Sequence, residues 1–277
     1  MNHVAVGGAS IPALGLGTFQ MDDQECRNAV RTALELGYRH VDTAEYYENE
    51  AAVGDAIAAS SVDRDDVFVT TKVWRSNLRA DDVRRAARAS LDRLGFDYVD
   101  LLLIHWPHPR VPVEETLGAM ADLRADGLVR HIGESNFTRS HLADACDAVD
   151  VPIVADQVEY HPYKDQRDLH RFCVDADVAL TAYSPLARGD VLDDETLARI
   201  GADYDKTAPQ VALRWLLQHE QVLAIPKARS RAHLEANLDV FDFELSSAEM
   251  ERIHGLTGSL GRRLRNRLPD LVRSFPL

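Results

Sequence analysis

Apolar positions along this chain follow two alternating rhythms. Short apolar runs at 14–17, 40–42, 67–72, 98–105, 129–133, 153–158, 178–183 and 222–226 read as strands. Between and after them, 23–36, 50–59, 81–94, 114–125, 138–149, 165–176, 208–219 and 231–240 place apolar residues three and four apart, as amphipathic helices do. Asp81 and Thr138 carry N-cap signals. The run YVDLLLI at 98–104 is apolar almost throughout, as expected of a parallel strand covered on both faces. Residues 4–16 read as a hairpin turning at Gly7-Gly8. Eight strand–helix units predict an α/β fold, a (β/α)₈ TIM barrel with an N-terminal hairpin, as a single domain over 1–277. Two segments exceed the repeat. Residues 186–207 are expected to form a loop with a short helix over the C-terminal face, and 246–256 a helix opened by a Ser246/Glu249 capping box. The Arg-rich last twenty residues are expected to fold over the barrel mouth.

A doubly wound dinucleotide-binding sheet is the competing α/β architecture. It needs G-x-G-x-x-G after the first strand. Gly15-Leu16-Gly17 begins that pattern, but Gln20 stands where the third glycine belongs, so this reading is rejected.

Composition narrows the picture. The net charge of −14 argues against nucleic acid as a partner. No apolar run approaches the roughly 18 residues of a membrane helix, and no basic-then-apolar leader opens the chain, so a cytoplasmic protein is expected. The charge is lopsided, with 30 Asp against 15 Glu and 27 Arg against 4 Lys. Such a surface suits high salt, where screening weakens self-repulsion; a GC-rich genome would produce a similar bias. With so few lysines, each is expected to have a specific task. Cys26, Cys146 and Cys173 are scattered and odd in number, as expected of reduced, mostly buried thiols.

Candidate chemistry gathers at successive strand ends. Asp42 ends the second barrel strand, Lys72 the third and His105 the fourth, and Tyr47 follows Asp42 in the same strand-to-helix turn. Barrel enzymes keep their chemistry on this face. Taken singly, a strand-end Asp–Lys pair is commonly a salt bridge, and a Tyr or His there is commonly packing. Together they suit proton donation to a carbonyl oxygen as a hydride reaches its carbon. A phenol ionises near ~10, an adjacent ammonium favours the phenolate, Asp42 can hold that ammonium, and His105 can orient the carbonyl. His105 and His108 form an H-x-x-H, but the intervening Trp106-Pro107 rules out a helical metal site, and no metal is expected.

The motifs GLGTF (15–19), GYRHVDTAEYYENE (37–50), TKVW (71–74), DLLLIHWP (100–107), GESNF (133–137), DQVEYHP (156–162), AYSPL (182–186), IPKARSRAHLEANL (225–238) and VFDFEL (240–245) resemble the aldo-keto reductase family, most closely its prokaryotic 2,5-diketo-D-gluconate reductase-like members. The resemblance runs from about residue 3 to residue 258. It implies a catalytic tetrad of Asp42, Tyr47, Lys72 and His105, with Tyr47 rather than Tyr46 as the acid. It implies NADP(H) bound without a Rossmann fold. Ser135, Asn136 and Gln157 would hold the carboxamide, Tyr183 would stack on the nicotinamide, and Thr18 would lie near its ribose. Ser184 and Leu186 would lie beside the pyrophosphate, Lys227, Ser230 and His233 at the 2′-phosphate site, and Asn237 at the adenine. The substrate pocket would be lined by Phe19, Tyr46, Trp74 and Trp106.

Departures from the pattern bear on the cofactor. His233 stands where an arginine is usual, Ala228 where a serine is, and Ala236 where a glutamate often is. A histidine lacks the bidentate fork of an arginine, so NADP(H) preference should be weaker than usual and NAD(H) remains open. Arg229 is a candidate to compensate. Asp156 and Glu134 also depart from the pattern, consistent with general acidification. The expected protein is a monomeric NAD(P)H-dependent reductase of small aldehydes or ketones. The alternatives are a non-catalytic cofactor-binding protein on this fold and a metal-dependent barrel hydrolase. The second would need an H-x-H on the first strand, which is absent.

Overall fold

The computed structural model describes residues 2–258. After the antiparallel hairpin β1 (His3–Val6) and β2 (Ala9–Pro12) come β3 (Leu16–Gly17), α1 (Asp23–Glu35), β4 (His40–Asp42), α2 (Glu50–Ala58), β5 (Phe68–Val73) and α3 (Ala80–Leu94). The alternation continues with β6 (Val99–Ile104), α4 (Val113–Ala125), β7 (Val129–Ser135), α5 (Arg139–Ala148), β8 (Ile153–Glu159) and α6 (Arg167–Asp175). It ends with β9 (Ala179–Tyr183), α7 (Glu195–Ala202), α8 (Ala208–Leu217), β10 (Val222–Ala224), α9 (Arg231–Leu238) and α10 (Ser247–His254).

Strands β3 to β10 pair in chain order, all parallel. The sheet closes on itself just before β3. Gly15 N donates to Ala224 O and Ala224 N to Ala13 O, each at 2.9 Å. Closure removes both sheet edges and turns the strand ends into one rim.

Two apolar layers fill the molecule. In β6, Leu102 and Ile104 face the helices, while Leu101 and Leu103 pack inside with Val6, Ile11 and Leu223. The hairpin thus plugs the bottom of the barrel, and β6 is buried on both faces, which explains its unbroken apolar run. Helix α1 shows the outer logic: Cys26, Ala29, Val30, Ala33 and Leu34 are buried, and Asp22 caps the helix by accepting from Glu25 N at 2.8 Å. No described helix is long and apolar enough to cross a membrane.

The structure corrects several boundaries. The hairpin ends at Pro12: Ala13 N still donates to Asn2 O, but Ala13 O and Gly15 N turn to Ala224 of β10. Thr138 and the Ser246/Glu249 box cap as expected. Asp81 does not: α3 starts at Ala80, and Glu115 of α4 supplies the acceptor by taking the Ala80 N–H at 3.1 Å. The extra helix of 186–207 is α7, which packs against α8 and α10. The expectation for the last twenty residues lies outside the described residues, apart from Gly258.

Candidate active site

The expected strand-end cluster forms on the rim. Asp42 ends β4, Lys72 lies in β5, and His105 extends β6 by one bond, its N–H donating to Val73 O at 3.0 Å. A single 3₁₀ turn, Glu45–Tyr47, carries the tyrosines, and Glu48 ends it in a left-handed conformation. Lys72 Nζ donates to Asp42 Oδ1 at 2.6 Å, Thr43 O at 2.8 Å and the Tyr47 hydroxyl at 3.3 Å. The Lys72 side chain has no solvent exposure. Burial lowers its pKa; the charge and hydrogen bond of Asp42, and more distantly Glu50, work against that fall. The second Asp42 oxygen accepts from Gln157 Nε2 at 2.7 Å, a link across the barrel interior.

Aromatic rings surround this cluster. Phe19 lies 5.0 Å from the Tyr47 ring, Tyr46 stacks on Trp74 at 4.0 Å, and Trp74 meets His105 edge-on at 4.9 Å. Tyr46 is 53% exposed, so it forms an outer wall. Trp106 belongs to a neighbouring cleft of about 740 Å³ shared with Asn136 and Tyr183 and running outward over Glu159 and Lys164. The cleft opens beside the Lys72 cluster, and neither Tyr47 nor Lys72 is in its wall.

Three residues that sequence reasoning did not single out hold the site together. Asn49 precedes α2, where an N-cap is the natural reading, yet its side chain makes no cap bond. It donates instead to Thr18 O (2.9 Å) and Met21 O (3.2 Å) and accepts from Thr43 Oγ1 at 2.9 Å. The β3 and β4 loops are thereby locked together. Glu45 accepts from Trp74 N and from Asn77 Nδ2, tying the tyrosine turn to the next loop; burial raises its pKa. Glu50, buried, accepts from Thr71 Oγ1 and pairs with Arg93 at 2.6 Å.

The residues expected to hold a cofactor fall into two groups. In the first, Ser135 Oγ donates to Gln157 O at 2.8 Å, and Asn136, at φ 63°, accepts from the Tyr183 hydroxyl at 2.8 Å. Asn136 Nδ2 donates to His105 O at 3.0 Å, which joins this group to the tetrad. Thr18 is fully buried, its hydroxyl donating to Asp42 O. Ser184 and Leu186 are half-buried, and the backbone is left-handed at Ser184, Ala187 and Arg188. In the second group, Lys227, Ser230 and His233 are exposed around the start of α9, with Ser230 accepting from His233 N at 3.3 Å. Burial by its neighbours and the Arg229 charge lower the Lys227 pKa. Asn237 is buried and bonded to Tyr38. The compensating role considered for Arg229 is not what its contacts describe: Glu25 holds it at 3.2 Å and Gln20 O at 2.8 Å.

The Aldo/keto reductase family model matches residues 11–257. The chain belongs to the aldo/keto reductase family. An aldo-keto reductase of Mycobacterium ulcerans is 44% identical over 257 residues, 92% of this chain and 90% of that one. The uncharacterized oxidoreductase YtbE of Bacillus subtilis is 40% identical over 258 residues, 91% of each. Among solved structures, a putative 2,5-diketo-D-gluconic acid reductase B superposes with a TM-score of 0.91 at 46% identity, covering 92% of this chain and 91% of that one. The aldose reductase of Schistosoma japonicum gives 0.89 at 34% identity over 94% of each chain. Family membership makes the chain an oxidoreductase acting on small carbonyl compounds with NAD(P)H.

Proposed function

We propose that this aldo-keto reductase, one domain over the whole chain, reduces an aldehyde or ketone to the alcohol, with Tyr47 as the proton donor. The observation that carries the reading is the position of Lys72 Nζ, between Asp42 Oδ1 at 2.6 Å and the Tyr47 hydroxyl at 3.3 Å. An unassisted phenol ionises near ~10 and gives up its proton reluctantly at neutral pH. The Lys72 ammonium lowers the cost of the phenolate that forms when Tyr47 donates. Asp42 does not touch the reacting atoms; it holds Lys72 charged and in place. His105, edge-on to Tyr47 at 5.6 Å, orients the carbonyl oxygen toward that hydroxyl. Phe19, Tyr46, Trp74 and Trp106 offer apolar surface to the rest of the substrate.

The donor set fits a nicotinamide dinucleotide. Gln157 spends its N–H₂ on Asp42 and keeps a carbonyl oxygen for a carboxamide N–H; Ser135 and Asn136 complete that site. Tyr183, tethered by Asn136, supplies a ring face, and Thr18, Ser184 and Leu186 flank the path outward. Lys227 and Ser230 at the start of α9 suit a 2′-phosphate, where a helix N-terminus adds favourable dipoles. Asn237 would contact the adenine. When bound, the nicotinamide supplies the hydride. NADP(H) is the favoured form, and His233 in place of an arginine lets NAD(H) compete. Among the described residues the large exposed apolar side chains are Tyr46 and Leu192, which supports a monomer. A cytoplasmic setting is part of the proposal, and the charge of −14 argues against nucleic acid as a partner.

Tyr47→Phe tests the mechanism. Carbonyl reduction should fall by at least about a hundredfold, the scale of a lost general acid, while NADPH still quenches intrinsic fluorescence with unchanged affinity. Normal turnover would overturn the assignment.

A further inference from the structure

Behind the residues assigned to the carboxamide lie two acids that the mechanism does not use. Glu134 of β7 and Asp156 of β8 are fully buried and directly paired, and the next pair along is Ser135 with Gln157. The ladder is irregular just before this point. From Ile132↔Ile153 to Glu134↔Asp156, β8 advances one residue more than β7, a bulge. Gly133 sits beside it, where a Cβ would come 2.6 Å from Ala155 O. The bulge sets which side chains of β8 face which layer. Gln157 points inward to Asp42, and its neighbour Asp156 therefore points outward, under α5 and α6.

Among the described residues no cation meets this pair. Asp156 Oδ1 accepts from Phe137 N at 3.4 Å, while Asp156 Oδ2 and both oxygens of Glu134 have no N–H or hydroxyl donor. The titratable groups that face them are thiols, Cys146 from α5 and Cys173 from α6. Burial and these same acids keep both thiols neutral, Cys146 pushed up to about 11. Asp147, also on α5, adds negative charge around Cys146. Two ionised carboxylates here would repel each other in an apolar layer. A protonated carboxyl instead donates a hydrogen bond to its neighbour and supplies the missing donor.

We propose that Glu134 and Asp156 share a proton as a hydrogen-bonded carboxyl pair. The pair pins β7 to β8 beyond the bulge and so positions Ser135, Asn136 and Gln157. Both are positioning residues. The functional half of this inference rests on the reading of Asn136 and Gln157 as carboxamide ligands; the proton sharing does not.

The pH behaviour follows. Burial pushes Asp156 up to about 8, and burial plus the Asp156 charge pushes Glu134 well above the ordinary glutamate value. The unfolded chain releases these protons near ~4. The folded protein therefore holds protons that the unfolded chain has lost. The pair's stabilisation is complete below that point and declines as pH rises toward about 8.

Infrared spectroscopy of the cofactor-free protein tests the sharing. At about pH 6 the wild type should show a protonated-carboxyl carbonyl band that fades toward about pH 9. The double variant Glu134→Gln/Asp156→Asn should remove it, and each single variant should lower the pH at which it fades, because the acid that remains gains an amide donor. Asp156→Asn replaces the acid by an amide of similar size that can donate to Glu134. It should flatten the decline of urea stability with pH. Wild-type affinity for NADPH should weaken several-fold over the same range, and that of Asp156→Asn should not. An absent band, or equal pH slopes in wild type and both variants, would overturn the shared proton. A band with pH-independent NADPH affinity would overturn the positioning role. Gln157→Ala and Asn136→Ala, measured for NADPH binding at one pH, report separately on the carboxamide reading.

Discussion

Replacing Asp42 by asparagine removes the counter-charge of an ammonium that no solvent reaches. Thr43 O and the Tyr47 hydroxyl remain as neutral partners. An isolated ammonium can escape the penalty by losing its proton. At pH 7 that costs a lysine with a free value of ~10.4 about 3.4 units × 1.36, or roughly 4.6 kcal/mol. This figure caps the loss and agrees with the ~3–5 kcal/mol usual for breaking a buried pair. Glu50, whose charge also supports Lys72, pulls the value toward the lower end. The sign of the pH dependence is fixed. In the variant the folded-state value of Lys72 drops further below its unfolded value, so the unfolded chain binds more protons. The variant should therefore regain about 1.4 kcal/mol per pH unit as pH rises, until the amine is neutral in both states near ~10. In the wild type Asp42 opposes the burial effect, so the slope is smaller. Urea unfolding of both proteins at several pH values from neutral upward reads this gap directly. A loss under about 1 kcal/mol, or a gap that does not narrow with pH, would refute the pairing argument.

Other outcomes follow from the same geometry. His233→Arg should tighten NADP(H) several-fold relative to NAD(H) in paired titrations; equal changes for both cofactors would refute the phosphate assignment. Asn49→Ala removes the side-chain partner of Thr18 O, Met21 O and the Thr43 hydroxyl. It should cost about 2–4 kcal/mol in urea unfolding, and wild-type stability would show that the two loops hold without it. With a net charge of −14, activity and melting temperature should rise as KCl is brought toward molar concentration, and a fall in both would count against adaptation to salt.

What the chain's sequence determined by itself is periodic or local. The two apolar rhythms specified eight parallel strands and their helices, because burial on both faces leaves a continuous apolar signature. Lysine scarcity also proved informative. Lys72 holds Asp42, Lys164 holds Glu159 at 2.9 Å, Lys206 bridges Asp239 and Asp242 at 2.8 Å, and Lys227 stands at the proposed phosphate site. Asp42, Lys72 and His105 were legible because strands in register deliver their ends to one rim. Only the tertiary structure decided the rest. The Gln157–Asp42 bond spans 115 residues and depends on a bulge that no local pattern announces. Asn49, which no sequence pattern singled out, braces two loops, since closing the barrel put three partners within its reach. Glu134 and Asp156 looked like surface acidity and proved to be buried together. A one-residue change of register moves a side chain from one face of a strand to the other, and the chain alone does not say where that change occurs.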